Sequence, residues 1–340
     1  KERRETTGEM DDPPGPYDRV GPADDLWFVP DVPPDPADLY PLPGPDQGRL
    51  IKPGDWAAAQ AASAPGLARL ALLYGVLDER LRAGPAGWRH RLALIEAADL
   101  SWDIGDRVSV ARLGLWEARH LSGVQEDAQG LARASWAFRR LAGPVAPGGD
   151  LAGFLGRHGA AADVADLAVL MTDLADLHPV PRAVAVAQAW RQMGDDGPAR
   201  GIEAAVLAAR LAAEMAPDTA GTGFVPRAGY GGSGGGSPQS VLAAWLAGAA
   251  RATQARLMYL ERLRAWQGRA LASLADCQGR TPRRLLEVLV EWPMVSAAMA
   301  EQSIGANRAT VLRNLALLQS RGLLREVTGQ GRYRVWTARL

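Results

Sequence analysis

The chain has 340 residues, 47% of them hydrophobic and 22% charged, and its 38 basic and 38 acidic side chains cancel. That length provides two or three structural units with room for a sizeable core, while no apolar run of about eighteen residues offers a membrane span. A lone cysteine, Cys277, excludes an intramolecular disulfide and a cysteine-built zinc site, and suits a reducing cytoplasm.

The first residues, Lys1-Glu2-Arg3-Arg4-Glu5, are charged and lead into prolines, so they do not read as a secretory signal. The missing initial Met reads as a trimmed start. Lys1 and Lys52 are the only lysines beside 36 arginines, a bias associated with GC-rich bacterial genomes. Residues 1–50 read as a Pro/Asp-rich arm, extended or disordered. Eleven of the 24 prolines fall between Pro13 and Pro45, where they block helix propagation and sheet pairing alike. Residues 1–47 carry twelve acids against four bases, a net of −8. Leu26-Trp27-Phe28-Val29 and Leu39-Tyr40 are candidate anchors within the arm.

Residues 51–220 read as a helical domain. Leu67, Leu70, Leu73 and Leu77 repeat at helical spacing, with Asp78, Glu79 and Arg80 expected on the solvent side. Further helices are expected at 88–98, 107–121, 127–141, 162–177, 181–192 and 198–214, separated by Gly and Pro. Alternating β-branched runs are nearly absent. The segment 221–237 is glycine-rich, but no apolar strand precedes it and no Lys-Ser/Thr pair closes it. It reads as a loop or linker, not a phosphate cradle. Residues 238–280 follow as a long basic helix, capped by Ser237-Pro238 and carrying Arg251, Arg256, Arg262, Arg264 and Arg269. Its apolar positions Val241, Leu242, Trp245 and Leu246 suit either a second copy of the chain or the chain's own body.

Residues 281–340 read as a winged helix-turn-helix. Thr281-Pro282 opens a first helix, with Leu285, Val288, Leu289 and Trp292 as its stripe and Pro293 as its stop. Ser296 caps a second helix, Ala297 to Gln302, and Ser303-Ile304-Gly305-Ala306 forms the turn. Asn307 caps a third helix with core stripe Val311, Leu312, Leu315 and Leu318, closed by Gly322. Two strands are expected at Leu324–Val327 and Arg332–Trp336. The fold class is therefore mostly α, a multi-helix domain followed by a C-terminal winged helix-turn-helix.

The third helix also has a polar side. Asn307, Arg308, Thr310, Arg313 and Asn314 lie off the stripe near the helix N-terminus, where a recognition helix presents side chains to base edges. Arg332 sits at the hairpin tip, as a wing residue does. The segment holds nine arginines against four glutamates, a net of +5. These six residues are the candidate contacts to double-stranded DNA, and the −8 arm is positioned by charge to oppose that contact.

Catalytic signals are weak. His90, His120, His158 and His178 have no i+4 histidine partner and no ligand spacing; His90 and His120 read as surface or capping residues. Glu96, Asp99, Asp103 and Asp106 read as a solvated acidic face. There is no Gly-x-Ser-x-Gly elbow and no Walker loop, so no catalytic residue, metal or cofactor is expected.

Leu-Tyr-Gly-Val-Leu-Asp-Glu-Arg at 73–80, Val-Ser-Val-Ala-Arg-Leu-Gly-Leu-Trp-Glu-Ala at 108–118 and Pro-Met-Val-Ser-Ala-Ala-Met-Ala at 293–300 carry a family resemblance. The most specific segment is Leu-Leu-Arg-Glu-Val-Thr-Gly-Gln-Gly-Arg-Tyr-Arg-Val-Trp at 323–336. The chain resembles a bacterial family that pairs a helical domain of unknown function with a C-terminal helix-turn-helix DNA-binding domain. It is also distantly similar to Fic-type proteins, which transfer nucleotides onto hydroxyl side chains. The Fic string His-Pro-Phe, acid, Gly-Asn-Gly-Arg does not occur, since His178-Pro179 is followed by Val180-Pro181-Arg182. The resemblance implies this fold and DNA binding; together with the reading of the residues, the expectation is a cytoplasmic transcriptional regulator that binds double-stranded DNA as a homodimer, with a degenerate Fic-type enzyme as the alternative.

Overall fold

Proline placed at helix starts and alanine throughout their interiors make the described residues mostly helical. Pro53, Pro65, Pro179, Pro238 and Pro282 all occupy the first or second position of a helix, where the missing N–H removes nothing and φ is already set. The computed structural model describes residues 51–118, 126–157, 161–193, 197–216, 223–227, 236–328 and 334–340. The acidic arm, His120, His158 and Arg332 lie outside them. Residues Arg49–Leu340 form one compact unit.

Among the described residues nine α-helices build the body: α1 Pro53–Ala62, α2 Ala64–Ala83, α3 Ala86–Asp103, α4 Val110–Glu117, α5 Ala128–Ala142, α6 Leu151–Leu155, α7 Ala161–Asp173, α8 Pro179–Gln192 and α9 Gly197–Ala212. A 36-residue helix, α10 Pro238–Ser273, then leads to the C-terminal module. That module comprises α11 Thr281–Glu291, β1 Val295–Ser296, α12 Ala297–Ile304, α13 Arg308–Ser320, β2 Leu324–Glu326 and β3 Val335–Ala338.

At the centre of the body α8 and α9 pack along each other. From Ala204 to Ala212 every residue of α9 is buried, because small side chains let neighbours close in on all sides. Several polar groups buried among them are paired. The Trp190 indole donates to Glu203 Oε2 at 2.9 Å, and Arg157 Nε donates to the other carboxylate oxygen at 2.9 Å. The Arg200 guanidinium lies 4.0 Å from the Trp190 ring centroid and donates to Asp163 Oδ2 at 2.8 Å.

Several expectations are overturned here. Asp78 is 1% exposed, not on the solvent side of α2, and accepts from Arg82 Nε at 3.1 Å. Glu96 is fully buried, so the acidic group is no solvated face: it accepts from the Arg227 backbone N–H at 2.6 Å and from Arg256 Nη2 at 3.2 Å. Within the glycine-rich segment, Phe224, Val225 and Arg227 are core residues, and Val225 N–H donates to Ala209 O at 2.8 Å. On α10, Leu242, Trp245 and Leu246 are buried in the chain's own body, where α10 lies along α1 and α2. Those three side chains are therefore not available to a second copy, and Val241 is half-buried.

Helix ends in the module shift slightly. Thr281 is the first residue of α11, and Arg280 stands at the cap with no side-chain bond. Trp292 leaves the helix with φ −105 and ψ 130, because the following Pro293 crowds the helical conformation of its predecessor. A strand not expected from sequence, β1, joins the sheet in the order β1-β3-β2, all antiparallel, pairing Val295 with Trp336 and Leu324 with Ala338.

The module is bolted to the body. Arg91 of α3, 2% exposed, donates to the carbonyls of Leu289 and Trp292 at 2.8 Å each and of Val290 at 3.3 Å. It thereby satisfies the C-terminal carbonyls that a helix leaves open. Gly87 permits the crossing, since a Cβ there would stand 2.9 Å from Glu291 Cβ. His90 was expected at the surface, yet its ring packs edge-on against Trp292 and Phe138 at 4.4 and 5.0 Å. Burial drives its pKa down to about 4. Glu291, 3.7 Å away, is itself pushed up by burial. From α10, Trp266 Nε1 donates to Leu323 O at 2.8 Å, and just beyond that helix Asp276 accepts from both terminal Arg321 nitrogens at 2.8 and 2.9 Å.

Candidate nucleic-acid interface

The turn between α12 and α13 is set by local chemistry. Ser296 Oγ accepts from Met299 N–H at 3.2 Å and starts α12. Gly305 ends it in the left-handed conformation, φ +64, which glycine adopts without steric cost. Two residues later Asn307 Oδ1 accepts from Thr310 N–H at 2.9 Å and starts α13. Gly322, φ +70, then turns the chain into β2.

One side of α13 is driven into the core: Val311, Leu315 and Leu318 are fully buried, with Leu312 packed at the edge. Trp336 of β3 is 2% exposed and donates from Nε1 to Gln319 Oε1 at 3.1 Å, fixing the sheet to the helix. Opposite that stripe, Ala309, Arg313, Ala316 and Ser320 are exposed and follow helical spacing. Arg313 is the single long side chain of the four. Methyl groups around it keep the helix slim enough to enter a groove, so the guanidinium projects from a low surface.

The expected contact residues divide by environment. Arg313 is exposed and reaches Thr310 Oγ1 at 3.4 Å. Arg308, its side chain 62% exposed, lies 3.5 Å from Glu301 Oε1 of α12. Asn307 is exposed, with its carbonyl oxygen committed to the cap. Asn314 is half-buried, and its amide nitrogen donates to Thr310 O at 2.8 Å, so that donor is used within the helix. Ala309, Ala316 and Ser320 went unnoticed in the sequence because small residues carry no chemistry of their own; their spacing from Arg313 was the available signal. Arg334 at the near end of the hairpin stacks 5.1 Å over Trp336 and lies 3.8 Å from Glu326.

Elsewhere, His178 caps α8: its Nδ1 accepts from Val180 N–H at 3.2 Å, and burial, then nearby Arg182, lowers its pKa. Among the described residues no group of three His, Cys, Asp or Glu side chains could hold a metal ion, and no helix is long and apolar enough to cross a membrane.

No curated protein matches the chain. Residues 282–338 match a family described as HTH DNA binding domain, a span running from the start of α11 to the end of β3, so the C-terminal module of this chain is a helix-turn-helix DNA-binding domain with a three-stranded wing sheet.

Proposed function

We propose that the protein is a cytoplasmic transcriptional regulator that reads duplex DNA with the Arg313 face of α13. The observation carrying this reading is a cationic, otherwise slim face on the third helix of a module that matches a DNA-binding domain. Arginine forks onto guanine in the major groove, and nine arginines against four glutamates in residues 281–340 favour the phosphate backbone. Selection from a random duplex pool with the full chain tests it, followed by salt titration of the recovered site and mapping of bound fragments in cells. Selective, salt-sensitive retention and fragments upstream of genes are expected. Sequence-blind retention, or none at low salt, overturns the reading.

The regulator acts as a homodimer, because one winged module buries only about 600–1,000 Å² on DNA and closed two-fold pairs are the commonest oligomers. With the α10 face internal, α2 supplies the contact. Leu72 and Val76 are 71% and 42% exposed, flanked by exposed Arg69 and Glu79. The pattern 69-72-76-79 is symmetric about residue 74, so an antiparallel second α2 sets Leu72 against Val76 and Arg69 against Glu79. Gly75, with nothing near its missing Cβ, allows close approach. Exposed ion pairs give roughly 0–1 kcal/mol each, so the apolar pair carries the contact. Light scattering should give a dimer mass that Leu72→Glu reduces to a monomer; a monomeric wild-type chain overturns it.

A further inference from the structure

A cleft of about 610 Å³ lies between the helical body and the C-terminal module, inside the roughly 300–1,000 Å³ range of small-molecule sites. Ile95, Val110, Pro293 and Met294 give it an apolar floor. Two arginines on the body side, Arg91 and Arg256, are already engaged, by carbonyls and by Glu96 with Asp99. The module side differs. In the β2–β3 ladder Leu324, Trp336 and Ala338 face the core, so Arg325, Thr337 and Arg339 share the opposite face. Thr337 Oγ1 donates to Pro293 O at 2.8 Å and holds that face at the cleft. Arg325 and Arg339 line the cleft, both are exposed, and neither has a carboxylate partner among the described residues. Tyr259 completes the wall. Its oxygen accepts from Arg91 Nε, which leaves the hydroxyl proton for a ligand oxygen.

We propose that this cleft binds an organic anion, with a carboxylate, sulfonate or phosphate head between Arg325 and Arg339 and an apolar body on Ile95, Val110 and Met294. Two unpaired guanidinium groups beside a partly desolvated apolar floor select for negative charge attached to a hydrophobic frame. A neutral frame lacks the head that the arginines hold, and a bare inorganic anion leaves the floor wet. The cleft lies at the base of the hairpin, does not involve α13, and is tested without DNA.

The probe is 1-anilinonaphthalene-8-sulfonate, with N-phenyl-1-naphthylamine as the same aromatic frame without charge. Fluorescence titration of the full chain should show saturable binding of the sulfonate. Arg325→Gln with Arg339→Gln should weaken it about tenfold or more, the ratio one charge-assisted hydrogen bond supplies, while shifting the neutral probe less than about twofold. Each single substitution should give a smaller loss in the same direction. Because both arginines are exposed, the thermal midpoint should stay put. Val169→Glu, which removes an exposed large hydrophobic side chain that does not line the cleft, should leave the isotherm unchanged. The proposal fails if the double variant binds the sulfonate as the wild type does, if both probes weaken equally, if Val169→Glu removes the signal, or if no saturable binding occurs.

Discussion

The C-terminal module and the helical body reach stability by different routes. In the module the boundaries of α12 and α13 have local causes: the Ser296 and Asn307 caps, the left-handed Gly305 and Gly322, and an apolar stripe at 311, 315 and 318. In the body the defining contacts join residues far apart, as in Glu96 with Arg227 and Arg256, or Trp190 with Glu203 and Arg200. Local signals are read along a sequence; buried charge networks are visible only once the chain has closed. Damage to the two regions should therefore look different.

The largest effect is expected at Trp190, which is fully buried and flanked by two arginines. Trp190→Ala should cost about 3–5 kcal/mol for the cavity, and it also removes the indole donor from Glu203. Trp336→Ala in the module should cost a similar amount, with a different outcome. Chemical denaturation followed by far-UV circular dichroism should show Trp190→Ala lowering one global transition. Trp336→Ala should split the transition, the module melting early while the body persists. A single shared transition in both variants would mean that the Arg91 and Trp266 links make one cooperative unit of the two regions.

Next in size is a pH effect that belongs to the body alone. Desolvation pushes the Glu96 pKa up to about 7 from 4.5, against the pull of Arg256 and the Arg227 N–H. A raised carboxyl pKa means the folded state holds the proton more tightly. Its contribution is complete below pH 4.5 and is lost as pH rises towards 7, by roughly 3 kcal/mol in all. Glu96→Gln should flatten the wild-type stability profile in that window, measured as the difference between the two proteins' urea midpoints. His90 works with the opposite sign. Its depressed pKa gives stability that is present above 6.5 and lost as pH falls towards 4. A difference profile that is flat from pH 4.5 to 7 and falls only below 4.5 would show Glu96 held as a carboxylate by Arg256.

That contrast accounts for what could be read from residues alone. Seven body and linker helices fall close to their expected spans, because alanine-rich runs between Gly and Pro leave few other options, whereas α4 covers 110–117 of the expected 107–121, whose last three residues lie outside the described ones. Asp78, Glu96 and His90 were placed outside because their types are usually exposed; partners 4 to 202 positions away along the chain keep them inside. Short β1 has only two residues, too few for any period to register. Phe224-Val225-Pro226-Arg227 lay hidden among glycines, though three apolar residues in a row were a sign that the segment is partly core. At the interface the core stripe and the cap of α13 were legible. The inward turn of Asn314 was not, since its type alone gives no direction.

Within the module, α13 provides an effect of about 1–3 kcal/mol on DNA affinity. Arg313→Ala should lose that much at a selected site and relax the preference at one base pair. Asn314→Ala should change affinity by less than about 0.5 kcal/mol, because its donor is spent on Thr310 O. Fluorescence anisotropy with the preferred duplex and a scrambled one separates the two. Equal losses on both duplexes for Arg313→Ala would make it a phosphate contact.

The smallest effect sits where stability and reading meet, at Asn307. Its Oδ1 caps α13 through Thr310 N–H at 2.9 Å, while the residue itself remains exposed beside the Arg313 face. Replacing an Asn cap by alanine costs about 1 kcal/mol of stability, and the loss should be confined to the module's melting. Serine and aspartate cap equally well, so Asn307→Ser should restore that stability. The amide nitrogen, which alone can donate to a base or a phosphate, is absent from both. If Asn307 only caps, the serine variant binds DNA as the wild type does and the alanine variant is weakened through fraying of the first turn. If it also reads DNA, the serine variant is as stable as the wild type yet binds the selected duplex less tightly. Asn307→Asp is weaker still, because its carboxylate meets the phosphate charge. Melting curves and anisotropy on the same three proteins assign the two roles of one side chain.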